Sequence, residues 1–225
     1  MRMILKSALL SVVAAAATHA AVLIAPISGQ FPDTFSPCSG CTELAYQSDV
    51  TSNITNTLHT TFDTAVYEDP NNTFCPDCLD FVYQVINAAN STDDVGRVTA
   101  LTFTGFEVDA GYSTGGEPAD GGTAFAIGTI APGLVDRNTA DTVGFQFSSS
   151  PSTAIAPGET STVMVIETNA THFTSGFASI IDGGATNVSA FEPATTSGVP
   201  EPGSVLLVGL GAMGLAGLRR LRRSR

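Results

Sequence analysis

Tryptophan is absent from this 225-residue sequence, and tyrosine occurs only four times. A sugar-binding face built from stacked aromatic rings therefore has little to draw on. Basic side chains are nearly as scarce in the middle of the chain. Of nine, Arg2 and Lys6 lie near the start and Arg219, Arg220, Arg222, Arg223 and Arg225 close the sequence, leaving only Arg97 and Arg137 between. Residues 21–200 carry 20 acidic and two basic side chains, a formal net charge of −18 that the whole-chain value of −12 conceals. Such a surface repels phosphate backbones, which are bound through Lys and Arg, so nucleic acid is excluded as a partner. It gathers cations and stays soluble by self-repulsion.

Catalytic signatures are missing too. Only His59 and His172 follow the first twenty residues, and no serine sits in a Gly-x-Ser-x-Gly turn. No acidic run has EF-hand spacing, and no cofactor-binding motif occurs. Outside the two ends, no helical period is sustained over ten residues. The residues thus imply no enzyme and no cofactor. A paired-carboxylate hydrolase would need acids brought together by the fold.

The ends themselves are informative. Met1–Lys6 is positively charged, Ile4–Ala17 is apolar, and Thr18-His19-Ala20 offers the small residues that a signal peptidase reads, predicting a signal peptide over 1–20. At the other end Val199-Pro200-Glu201-Pro202 precedes an uncharged stretch, 203–218, which the five arginines of 219–225 terminate. As a helix that stretch is roughly 24 Å long and spans a bilayer marginally, with arginine snorkelling at its end. The arginines act as a stop-transfer cluster held in the cytoplasm, and the middle of the chain must lie outside. Pro200 and Pro202 keep the residues before them extended, as a protease requires.

This arrangement, Val199–Arg225, resembles the PEP-CTERM sorting signal of Gram-negative bacteria that make extracellular polysaccharide. The resemblance implies recognition by an exosortase, a membrane cysteine protease, and cleavage in or beside Pro200-Glu201-Pro202. It further implies transient residence in the inner membrane and delivery to the cell surface or matrix, with extracellular polysaccharide as a partner. Phe81–Val85, Gly96–Thr99 and Thr168–Pro193 are also similar to ectodomains of that family.

Between the signals, short runs alternate with a period of two. Leu79, Phe81, Tyr83 and Val85 alternate with Asp80, Val82, Gln84 and Ile86; Val143, Phe145 and Phe147 alternate with Gly144 and Gln146. Thr57–Tyr67, Val98–Phe103, Thr123–Ile130, Thr162–Thr168, Phe177–Ile181 and Thr186–Phe191 read alike. About eight strands with glycine-rich turns predict a mainly β fold, an antiparallel β-sandwich over 57–192. An irregular cysteine-containing lead-in is expected over 21–56 and a Pro/Thr/Ser linker over 193–202.

The four cysteines form Cys38-Ser39-Gly40-Cys41 and Cys75-Pro76-Asp77-Cys78. In an oxidising compartment they predict disulfides, with three pairings open. A link between the two pairs would tie the lead-in to the strand at Leu79. A tetrahedral zinc site and a thioredoxin-like redox pair are the alternatives. Asp109, Glu117 and Asp120 fall in a glycine-rich stretch, 109–122, read as a loop whose hard oxygens could hold calcium. Three function classes follow: a surface or matrix protein without catalysis, a carbohydrate- or calcium-binding module, and a hydrolase of extracellular polysaccharide.

Overall fold

A computed structural model describes residues 22–115, 125–149 and 153–195. The signal segment 1–20, the Val199–Pro202 motif, the apolar stretch 203–218, the terminal arginines, Glu117 and Asp120 all lie outside the described residues.

Alternation of apolar and polar side chains dictates what forms within them: twelve strands and no helix. In chain order these are β1 (Ile27–Gln30), β2 (Asp33–Phe35), β3 (Thr42–Ser52), β4 (His59–Asp69), β5 (Cys78–Asn87), β6 (Arg97–Ala100), β7 (Val108–Ser113), β8 (Leu134–Arg137), β9 (Val143–Gln146), β10 (Val163–Thr168), β11 (His172–Ile181) and β12 (Ala185–Ala194). They make two six-stranded sheets. Sheet I runs β1-β8-β9-β6-β11-β12 and sheet II runs β2-β7-β10-β5-β4-β3. Neighbours pair antiparallel except β2 with β7, which is parallel, so the sandwich is mainly rather than wholly antiparallel.

The period-two runs place their apolar faces between the sheets. Phe81, Tyr83 and Val85 of β5 and Met164 and Ile166 of β10 meet Val98, Phe145, Ile180 and Val188 of sheet I in one continuous core. Phe62 stacks on Tyr83, and Phe81 meets Phe103 edge to face, at centroid separations of 5.9 and 5.7 Å. The Tyr83 hydroxyl reaches through this core to donate to the Phe191 carbonyl across 2.9 Å. Arg137, though charged, is also inside. Its guanidinium donates to the carbonyls of Leu23, Phe103 and Phe106 at 2.8–3.0 Å and lies 3.1 Å from Asp141. It thereby ties the Leu23 segment to the turn around Phe103–Phe106, whose Phe103 carbonyl also accepts from the Phe106 N–H.

Sheet II is buried on its outer face as well. Val82, Val163, Val165, Ala65 and Tyr67 form a second cluster there, covered by Phe35, Cys41 and Phe125. The Gln84 side chain fixes part of that cover. Its amide donates to the carbonyls of Ala126 and Ser161 and accepts from the Ala126 N–H.

Several expectations change here. The lead-in 21–56 is not irregular: it supplies β1, β2 and β3, and Leu23 is in the core, so the sandwich begins well before residue 57. The described part of 123–130 is no strand, apart from a bridge at Ile130, because Gln84 draws it over the outer face as cover. The last strand continues through Pro193 to Ala194, into what read as linker. Proline is tolerated there because β12 is an edge strand. Asp109 lies in β7, not in a loop. Gly111 serves close packing, since a Cβ there would collide with the Asp33 backbone carbonyl of β2.

Candidate functional site

Register on the outer face of sheet II assembles a row of acids. In antiparallel pairs, residues opposite one another project from the same face. Asp109 of β7 is opposite Glu167 of β10, and Glu167 is opposite Asp80 of β5. Asp80 is opposite Tyr67 of β4, which in turn faces Glu43 of β3. Two residues beyond Tyr67, and so on the same face, comes Asp69. Asp33 of β2 joins the group from the edge, beside Asp109.

These acids are buried: Asp69, Asp80, Asp109 and Glu167 are 6%, 4%, 0% and 8% exposed. The two cysteine motifs enclose them. Cys38 pairs with Cys41 and Cys75 with Cys78 at disulfide distance, with Cα separations of 5.8 and 5.4 Å, so each motif closes on itself and the two are not linked to each other. Left-handed residues, Gly40 and Asp77, turn the chain tightly enough within each motif. By chain entropy each four-residue loop contributes only about 2 kcal/mol. Cys78 opens a strand, so the redox reading lacks the helix N-terminus that would activate its thiol.

The first motif forms a roof. Its sulfur atoms and one carboxylate oxygen each from Asp69 and Asp80 all lie within 4.8 Å of one another. A small cavity of about 30 Å³ lies beneath, walled by Cys38, Tyr67, Asp69, Asp80 and Glu167 among others. The second motif ends a loop that reaches in from the side. There Asn72 Nδ2 donates to Asp80 at 2.8 Å, the Thr73 N–H to Glu167 at 3.2 Å and the Asn71 N–H to Asp69 at 2.7 Å.

Among the described residues no base neutralises the row. Arg97 and Arg137 stand on β6 and β8 of sheet I. Arg97 is bidentate to Asp136 at 2.6 and 2.7 Å, and Arg137 is committed as above. Burial, then the Glu167 and Asp69 charges, push the Asp80 carboxyl well above its usual range. Burial also raises Glu167, against the donors of Thr73. Asp109 is pushed up to about 7, by burial first and then by Asp33 and Glu167. Both of its oxygens are sealed from solvent. A hydrogen bond with the Asp33 carboxyl forms only if one of the two carries a proton.

A second concavity, about 490 Å³, opens at the surface between Asn53–Thr55, Asp93 and Asp182–Thr186. Its acids are tied to the fold, Asp182 accepting from Asn53 and Asp93 from Thr57. No aromatic side chain lines it. His59 and His172 begin strands of different sheets, β4 and β11.

Of the sequence-based candidates, the structure places Asp109 and the four cysteines at or beside the acidic row. Asp33, Asp69, Asp80 and Glu167 were not singled out. Their only sequence signal is acid within runs that otherwise read as strand, with no base nearby to neutralise it.

Residues 198–223 match the family model of the PEP-CTERM protein-sorting motif. No curated protein and no solved structure matches the chain.

Proposed function

We propose that this exported chain, which carries an exosortase-targeting signal, is a non-enzymatic surface or matrix protein whose β-sandwich is the delivered cargo. The observation that carries this reading is position: β12 ends at Ala194 and the sorting motif begins at 198. Only residues 195–197 intervene, so cleavage in or beside Pro200-Glu201-Pro202 severs the domain from its signal without cutting a strand. The core from Leu23 to Phe191 is assembled from residues of the described domain.

Two features support the absence of catalysis. The cavity at the acidic row, about 30 Å³, is far below the roughly 300 Å³ at which small-molecule pockets begin, and admits no sugar unit. The larger groove has its two acids engaged in structural hydrogen bonds. Retention at the envelope or release into extracellular polysaccharide follows from processing rather than from a reaction.

The test is an epitope tag inserted near residue 196, followed in the native chain and in one with Pro200, Glu201 and Pro202 replaced by alanine. The native chain should shorten and leave the inner membrane, while the altered chain stays full length and membrane-bound. Identical processing of both would overturn the reading. Turnover of the organism's own polysaccharide by the purified protein would overturn its non-enzymatic part.

A further inference from the structure

We propose that the outer edge of β3 pairs antiparallel with the same edge of a second copy of this chain, joining the two copies of sheet II into one continuous sheet about a two-fold axis at Ser48. This goes beyond the sorting reading and rests on the folded domain alone.

A sheet edge presents a row of unpaired backbone donors and acceptors, and folded proteins blunt it by shortness, proline, charge or a bulge. The edge strands of this sandwich are β1 and β12 in sheet I and β2 and β3 in sheet II. β1 and β2 have only four and three residues. β12 contains Pro193, and its Ser189 N–H already donates to the Asp49 side chain across 3.0 Å. β3 differs: it has eleven residues, with neither proline nor base, and among the described residues no strand pairs with its outer side. Its bulge lies between Glu43 and Ala45, so residues 45–52 run in unbroken register with β4. The one acid in that segment is Asp49, which lies opposite the core residue Phe62 and so points inward, where it holds Ser189. It serves the fold and leaves the edge unguarded.

Register specifies the occupant. Side chains directly opposite in an antiparallel pair share a face. With the axis at Ser48, Tyr46 of each copy lies opposite Val50 of the other, and Gln47 lies opposite Asp49. The first is a favourable pairing of an aromatic with a β-branched side chain. The second sets an amide donor against a carboxylate. Tyr46 and Val50 are 38% and 79% exposed, so both have surface left to bury, although Tyr46 already meets Phe125 and donates to Asp63. Moving the axis one residue on would set Asp49 against itself, and moving it one residue back would draw the bulge into the ladder. Charge favours a copy as well. Residues 21–200 carry 20 acids against two bases, so two copies repel over most of their surface and meet best where acid is absent. Tyr46, Ser48 and Val50 form such an uncharged strip, on which a basic peptide has no acid of β3 to pair with.

The experiment follows the full-length chain in mild detergent by sedimentation velocity, at low salt and in half-molar sodium chloride. A dimer should form and should strengthen with salt, because screening weakens the repulsion between two acidic domains. The apolar tail is a second source of association, so β3 is tested by substitution. The four native cysteines are paired, which leaves an introduced thiol as the reactive one. Ser48→Cys, treated with a short bis-maleimide, should give a covalent dimer on a denaturing gel. Ser52→Cys should not, since its two copies would lie roughly 27 Å apart along the strands. Val50→Glu should melt with the native chain and weaken association about tenfold or more. If it melts lower, the Ser48→Cys cross-link alone decides.

Three outcomes overturn the proposal. A native chain that stays monomeric at both salt concentrations has no such interface. A dimer in which Ser48→Cys is not cross-linked is held by another surface. Equal cross-linking of Ser48→Cys and Ser52→Cys would show collision rather than a fixed register.

Discussion

Replacing Asp109 with asparagine should raise stability in alkaline, ion-free buffer and flatten its dependence on pH. The folded chain holds the Asp109 proton up to about pH 7, whereas the ordinary value is 3.8. Between those limits the folded state binds more protons than the unfolded state. Stability must then fall as pH rises, by at most about 1.4 kcal/mol per pH unit for one proton. Across the window one group would supply at most about 4 kcal/mol. Asp80 and Glu167, raised in the same direction, add to the slope. Asp109→Asn keeps the shape and removes the charge. In EDTA at pH 8 it should melt up to about 8–16 °C above the native chain, and at pH 5, early in the window, by roughly a third of that. Urea unfolding of both proteins at pH 5, 6, 7 and 8 measures this directly. Native stability that climbs across that range, or an asparagine variant with an unchanged slope, would refute the assignment of the buried proton.

Two further substitutions test how the sandwich is held. Arg137→Met removes the guanidinium from the carbonyls of Leu23 and Phe106, leaves Phe103 with only the Phe106 N–H and parts Asp141 from its charge partner, and should cost about 3–5 kcal/mol in chemical denaturation. Tyr83→Phe preserves the stack on Phe62 but strands the Phe191 carbonyl, so it should cost only about 1–3 kcal/mol, with an unchanged urea m-value.

The fold was legible wherever one face of a strand meets the core. Leu79–Ile86, Val143–Phe147 and Thr162–Thr168 alternate because one side faces the other sheet, and each became a strand close to its expected bounds. β3 escaped for the opposite reason. It is an edge strand whose Leu44, Tyr46 and Val50 point outward, Val50 at 79% exposure, so its alternation advertises no core. β8 hides its pattern by burying Arg137, a residue whose chemistry reads as surface until three carbonyls are seen around it. The glycine-rich stretch after Val108 misled because glycine was read as freedom, while Gly111 is required by the close approach of β2. The acidic row was the least legible feature. Asp33, Asp69, Asp80, Asp109 and Glu167 come from five strands, and only the register of sheet II brings them together. The cysteine spacing announced two cross-links but not that both would flank the same acids.

The two bases of the described region are both engaged in sheet I, so there the buried carboxylate row is not neutralised from within. What its acids take from the medium is a proton, which is why their burial makes stability fall as pH rises. A domain exported through a membrane meets an oxidising medium only on the far side, where Cys38–Cys41 and Cys75–Cys78 can close. Pairing within each motif suits that order, because a four-residue loop forms locally without waiting for distant strands. Reduction of both pairs should therefore cost only about 4 kcal/mol of chain entropy in urea unfolding, about 2 kcal/mol for each loop. Complete loss of the fold on reduction would mean instead that the loops hold sheet II together.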